Sequence, residues 1–172
     1  MNFDYIIIGT GSAGCVLANR LTENGKHSVG IFEAGESSDI WKVKMPLALL
    51  YTMHDSKYNW KYYSEPEPHL NNRRLFCPRG KMVGGCSSHN GMVFVRGNQD
   101  DYKRWESFGL KSWSYNQILP YFKKIENWSG GENQYRGSLG LLPVNQSKND
   151  NPLFKAFLNA ASEAGHKINP DM

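Results

Sequence analysis

The sequence predicts an α/β fold built on the opening strands of a doubly wound parallel sheet, and three observations carry that expectation. Tyr5-Ile6-Ile7-Ile8 is an apolar run of β-type residues, the pattern of a strand buried on both faces. Gly9-Thr10-Gly11-Ser12-Ala13-Gly14 follows at once, and Val16, Leu17, Ala18 and Leu21 then continue at helical spacing. Val29-Gly30-Ile31-Phe32 is a second short strand, and an acid, Glu33, stands at its end. Strand, glycine turn, helix, strand and acid in this order form a dinucleotide-binding βαβ unit, whereas a glycine pattern by itself would be weak.

Each residue type in that unit has a physical task. Gly9 permits the tight turn, Gly11 lets the backbone approach a pyrophosphate, and Gly14 lets helix and strand pack closely. The helix start at Ser12-Ala13 presents unpaired N–H groups and a partial positive charge to phosphate. Glu33 can accept hydrogen bonds from both hydroxyls of a ribose and would repel a 2′-phosphate. FAD and NAD both satisfy these conditions, and the βαβ unit does not choose between them.

Composition narrows the setting. A chain of 172 residues has the size of one domain, and 40% hydrophobic with 13% aromatic residues suits a packed core. The net charge of +4 is spread thinly, with no basic run, so nucleic acid is not an expected partner. No apolar run approaches the ~20 residues of a membrane span. Met1 to Asp4 leads straight into the first strand, leaving no room for a signal peptide, and a cytoplasmic protein is expected. Cys15, Cys77 and Cys86 form no close pair and read as reduced thiols, with Cys15 a small core residue. No His, Cys or carboxylate set has metal-ligand spacing, so no metal is predicted.

Beyond Glu33 the alternation of strand and helix stops. Trp41 to Met53 is helix-compatible, with Leu47, Leu49, Leu50 and Met53 available for a buried face. Asn59 to Tyr63 reads as extended, with Trp60 a core or cavity-wall residue, and Asn71-Asn72-Arg73-Arg74 as a hairpin tip with Leu75-Phe76-Cys77 returning. Asp100 to Phe108 is an expected helix with Trp105 and Phe108 on one side. Ser114 is positioned to cap another, carrying Ile118, Tyr121, Phe122 and Ile125, and Pro120 inside it predicts a kink or a split. Trp128 to Gly140 is the best linker candidate. Asn151-Pro152 opens a last helix with Leu153, Phe154, Phe157, Leu158 and Ala161 as its buried stripe and Gly165 as its stop.

The second informative stretch runs from Pro78 to Gly97. Gly84, Gly85 and Gly91 lie beside Ser87, Ser88, Asn90 and the cations Arg79 and Lys81. Such a loop offers successive N–H groups to an anion and lets a flat ligand lie against the backbone. A glycine-rich surface turn before a strand over Met92 to Val95 is the competing reading.

Together the two stretches resemble the glucose–methanol–choline oxidoreductase family of FAD-dependent enzymes that oxidise alcohols. The first matches the family's N-terminal FAD fingerprint, continuing into Glu33-Ala34-Gly35. The second matches its signature, Arg79-Gly80-Lys81 followed by Gly84-Gly85-Cys86-Ser87-Ser88 and Asn90-Gly91-Met92, then Phe94 and Arg96-Gly97. Smaller pieces around Asp101-Tyr102, Trp113-Ser114-Tyr115 and Gly137 to Val144 are also familial, so the resemblance covers nearly the whole chain. It selects FAD over NAD.

The resemblance implies cofactor contacts from Gly9, Gly11, Ser12, Ala13, Gly14, Glu33 and Ala34 in the first stretch. From the second it implies Arg79, Val83, Gly85, Cys86, His89, Asn90, Gly91, Met92 and Val93. Residues 1–172 are then the N-terminal portion of the FAD-binding domain. The remaining strands, the substrate domain and the catalytic histidine lie outside the chain, which contains no catalytic residue and is expected to be inactive alone. The implied reaction moves a hydride from the CH–OH group of a small alcohol, choline-like or another primary alcohol, to flavin N5. Oxygen or another acceptor then takes the electrons. Histidine at 89 departs from the family's usual apolar residue. Choline oxidase is similar there, with its histidine bonded to the flavin; covalent attachment at His89 and a pocket histidine that only hydrogen-bonds both stay open. A stand-alone, non-catalytic dinucleotide-binding module is the reading from another class, and an NAD-dependent dehydrogenase a weaker third. His27, His54, His69 and His166 are expected at the surface.

Overall fold

A computed structural model describes residues 2–148 and 150–169, which divide into two compact units, 1–93 and 94–172.

The first unit opens on β1 (Tyr5–Ile8), α1 (Ser12–Thr22) and β2 (Val29–Phe32). The strands pair in parallel, Tyr5 opposite Val29 through Ile8 opposite Phe32, which is the pairing a βαβ crossover produces. Asp4 fixes the start of the register: its carboxylate accepts from the Ser28 N–H at 2.7 Å and the Ser28 hydroxyl at 2.8 Å. The two strands form a sheet by themselves. That overturns the expectation of a strand buried on both faces, because only Ile7 of β1 is buried, while Ile6 and Ile8 are 63% and 81% exposed. No described element lies over Ile6 and Ile8. Cys15 is likewise exposed rather than in the core.

The apolar stretch after Glu33 is not one helix. It breaks into α2 (Trp41–Lys44), a 3₁₀ turn (Pro46–Ala48) and α3 (Leu49–His54). Pro46 causes the break, since it donates no N–H and pushes Met45 into extended backbone. Ala48 and Thr52 are buried there, and of the expected face Leu49 and Met53 are half-buried while Leu47 and Leu50 are exposed. The predicted hairpin is present as β3 (Tyr62–Tyr63) antiparallel to β4 (Phe76–Cys77), with Asn71 and Asn72 both left-handed at its tip. Trp60 is exposed instead of walling a core; it stacks on Tyr62 with the Lys81 ammonium 5.0 Å from its ring. The four histidines 27, 54, 69 and 166 are all exposed.

The second unit contains α4 (Gln99–Ser107), α5 (Tyr115–Ile125), β5 (Glu126–Trp128), β6 (Leu142–Val144) and α6 (Pro152–Glu163), with β5 and β6 parallel. Tyr102, not Trp105 or Phe108, is the buried residue of α4; its ring meets Trp105, Tyr115 and Phe122. Helix α5 runs as one element through Pro120, so of the expected kink or split the split is absent, and Ser114 precedes it without a side-chain cap. Met92 to Val95 forms no strand: Met92 is left-handed, which interrupts an extended run. On α6 the Asn151 carboxamide caps the Leu153 N–H at 2.9 Å and Gly165 ends the helix with φ +87°, as expected. Its stripe, however, is not covered, since Leu153 and Phe157 are more than 70% exposed. At the centre of this unit Glu126, fully buried, pairs with Arg96 at 2.7 Å and Arg136 at 3.2 Å.

Candidate functional site: two glycine loops at the mouth of the βαβ unit

The site lies within the first unit. Strand β1 runs out into Gly9, whose φ of +94° turns the chain and whose N–H donates to the Phe32 carbonyl at 2.6 Å. Gly11 then caps α1 with extended backbone and no side-chain acceptor, and the first turn carries no acid. The N–H groups around Ser12 and Ala13 therefore keep their positive end without a negative neighbour on the helix. Gly14 is where helix and strand close on each other: a Cβ there would lie 2.0 Å from the Gly9 carbonyl oxygen and 3.3 Å from the Ile7 side chain. At Gly11 a Cβ would meet nothing within 4 Å, so the space over that backbone is open.

The second loop reaches this turn from far along the chain. Glu36 and Met82 form a bridge, Val83 N–H donates to the Glu36 carbonyl at 2.9 Å, and Gly84 N–H donates to the Thr10 carbonyl at 3.0 Å. Gly84 and Gly85 both have positive φ, +89° and +57°, which lets the loop reverse into the 3₁₀ turn Gly85–Ser88. A Cβ on Gly85 would stand 3.0 Å from the Gly11 Cα, so the two glycine backbones are nearly in contact. Ser87 and Ser88 hydroxyls donate to the Gly84 and Val83 carbonyls, each at 2.7 Å, and the Cys86 sulfur accepts from Gly80 N–H. These small residues hold the loop's own shape.

Glu33 ends β2 with its carboxylate directed back at the turn. One oxygen accepts from the Thr10 N–H at 2.8 Å and the Thr10 hydroxyl at 2.9 Å, and the other accepts from Gly35 N–H at 2.9 Å. Partial burial alone would raise its pKa, but the hydrogen bonds from Thr10 and Gly35 outweigh that and hold it below the usual carboxylate value. It is therefore ionised at neutral pH, with lone pairs left for a further donor. Ala34 beside it is exposed.

His89 closes the 3₁₀ turn through its N–H to the Cys86 carbonyl at 3.2 Å, and its side chain is buried, 8% exposed, with Nδ1 lacking a hydrogen-bond partner. Burial pushes its pKa down, so the ring is neutral. Other predicted residues are less engaged. Arg79 is exposed with its guanidinium on the Pro78 carbonyl at 2.7 Å. The Asn90 carboxamide accepts from Met92 N–H at 2.8 Å, making a local turn, and Gly91, Met92 and Val93 are exposed. The sequence reading missed Thr10, which occupies an unspecified place in the glycine pattern yet touches both loops. A hydroxyl-bearing residue at that position, with an acid at the next strand end, was the available signal.

Residues 3–172 match the family described as GMC oxidoreductase. The chain belongs to the GMC oxidoreductase family. Among GMC relatives, the oxygen-dependent choline dehydrogenase of Sinorhizobium fredii is 51% identical over 171 residues, covering 99% of this chain and 31% of that protein. The chain thus spans about a third of the length of the curated relatives it matches. Pyridoxine 4-oxidase from Mesorbium loti has a similar structure, with a TM-score of 0.83 and 32% identity over 94% of this chain and 32% of that one. An FAD-dependent oxidoreductase from Chaetomium thermophilum matches with a TM-score of 0.77 and 32% identity, over 95% of this chain and 30% of that one. The α/β fold of the first unit is accordingly the GMC fold, with its parallel pair belonging to a Rossmann-like sheet. Among the described residues no helix is long and apolar enough to cross a membrane.

Proposed function

We propose that this chain is the FAD-binding portion of a flavin-dependent alcohol oxidoreductase. The observation that carries the proposal is the near-contact of Gly85 with Gly11, which places both glycine loops at the positive end of α1 beside an ionised Glu33. The residues fit FAD. Open space over Gly11 admits a pyrophosphate, the Ser12 and Ala13 N–H groups face it, and Glu33 retains acceptor capacity for the adenosine ribose. Gly9 and Gly14 shape the turn, while Val83, Gly85 and Cys86 form the wall on the second loop. Ala34, Arg79, Asn90, Gly91, Met92 and Val93 complete the proposed cofactor contacts. When bound, the flavin supplies the hydride acceptor, N5, for oxidation of a CH–OH group. The chain's own work is to bind, orient and exclude; the proton acceptor and the substrate pocket belong to parts of the enzyme outside it.

A choline-like or other small primary alcohol is the proposed substrate, supported by the 51% identity to a choline dehydrogenase, and oxygen the proposed electron acceptor. The His89 imidazole meets the cofactor in this reading, as a hydrogen-bond partner or as a covalent anchor. A neutral buried imidazole is competent in either role.

An absorbance spectrum of the purified full-length protein tests the cofactor: flavin bands are expected, and a protein that binds no FAD when titrated with it would sink the proposal. Acid precipitation separates the two roles of His89. Flavin that stays with the polypeptide, and is released from His89→Ala, establishes the bond, while complete release from the wild type leaves His89 as a pocket residue.

A further inference from the structure

Thr10 stands between the first two glycines of the turn, and it meets three elements at once. Its N–H and its hydroxyl both donate to the same Glu33 oxygen, at 2.8 and 2.9 Å. Its carbonyl accepts from Gly84 N–H at 3.0 Å and from the Cys15 thiol at 3.1 Å. The Gly84 nitrogen lies 3.4 Å from the hydroxyl oxygen as well. One residue therefore joins the end of β2, the first turn of α1 and the second glycine loop.

We infer that Thr10 is a positioning residue, whose hydroxyl sets dinucleotide affinity by orienting the Glu33 carboxylate. This rests on the FAD-binding reading above. Any residue except proline would supply both the N–H and the carbonyl at position 10; only serine or threonine adds a hydroxyl on Cβ. Two donors on Oε2, with Gly35 N–H on Oε1, fix the carboxylate's rotation and leave its remaining lone pairs for a ligand donor. Without the hydroxyl, Oε2 keeps only the Thr10 N–H and Oε1 only the Gly35 N–H, so the carboxylate is held less tightly. It then has to be re-ordered whenever a ribose diol binds.

A double-mutant cycle on FAD affinity in the full-length apoprotein, read by quenching of flavin fluorescence, separates this role from simple support of the turn. Thr10→Val, which keeps the shape and removes the hydroxyl, is expected to weaken FAD binding about tenfold, the effect of one hydrogen bond to a charged group. Thr10→Ser is expected to bind within about twofold of the wild type. In a Glu33→Ala background, Thr10→Val should add less than about twofold, because the group it acts through is gone. Equal losses in both backgrounds, or no loss in either, overturn the inference. Thr10→Ala serves the same cycle where Thr10→Val does not fold. A wild-type protein that binds no FAD refutes the cofactor reading itself, whereas FAD binding with additive variants refutes the role of Thr10 alone.

Discussion

Gly11 and Gly14 are three residues apart in one turn, yet alanine at each should fail for a different reason. At Gly14 the added methyl would sit 2.0 Å from the Gly9 carbonyl oxygen, a backbone atom that cannot rotate away. Restoring ordinary contact requires α1 to move off β1 by more than an ångström, and overpacking of this kind costs about 1–3 kcal/mol. That cost is present with or without a ligand. At Gly11 the backbone already has φ −70° and ψ −175°, which alanine adopts freely, and the methyl would meet nothing within 4 Å. The apoprotein should therefore lose only the difference between glycine and alanine as a helix cap, about 1 kcal/mol at most. With FAD present the same methyl stands where the pyrophosphate must come close, and affinity should fall at least ~10-fold, or ~1.4 kcal/mol. Urea unfolding of the full-length apoprotein and FAD titration of both variants make the comparison. Wild-type affinity in Gly11→Ala would mean that no ligand approaches that backbone, and unchanged stability in Gly14→Ala would refute the close helix–strand packing.

Glu33 makes the apoprotein's stability depend on pH: its folded pKa lies below its unfolded value of ~4.3, so its contribution is complete above that value and is lost as pH falls toward the folded one. Glu33→Gln should flatten that acid limb in unfolding free energies measured from pH 6 downward, and an unchanged limb would assign it to other groups. His89 acts in the next window, since its folded pKa is lowered from ~6.5; apoprotein stability should begin to fall below that pH, and His89→Ala should remove this component of the slope. Glu126→Ala leaves the Arg96 and Arg136 guanidinium groups of the second unit without their shared carboxylate, and about 3–5 kcal/mol of stability should be lost in denaturant unfolding. A loss within about 0.5 kcal/mol would show that the trio is dispensable.

The βαβ unit was legible because each of its requirements is local: a glycine at 9 for the turn, at 14 for close packing, and an acid at the strand end. The second loop's part in the site came from family resemblance, and its apposition to the first, which is not local, is visible only in the structure. What the sequence could not convey was coverage. Ile6, Ile8, Leu153 and Phe157 have the spacing of buried faces, and spacing reports which side is apolar without reporting what lies over it. Proline acted in opposite ways at two places. Pro46 broke a helix that apolar content favoured, and Pro120 was carried inside one that it was expected to kink or split. Thr10 escaped notice because the glycine pattern leaves its place unspecified, although its hydroxyl is what reaches Glu33.

The hydrogen bond from Gly84 to Thr10 spans 74 residues of chain. Closing so long a loop has an entropy cost that grows as the logarithm of its length, and nothing within β1–α1–β2 offsets it. The glycine turn can thus form early, from neighbours in sequence, while the wall provided by Val83 to Cys86 must arrive late. A dinucleotide held between the two would favour the closed arrangement by mass action, in proportion to its concentration over its Kd. Refolding should then have two steps that respond differently to FAD: one indifferent to it, and a slower one, the docking of the second loop, from which reopening becomes rarer as the cofactor concentration rises.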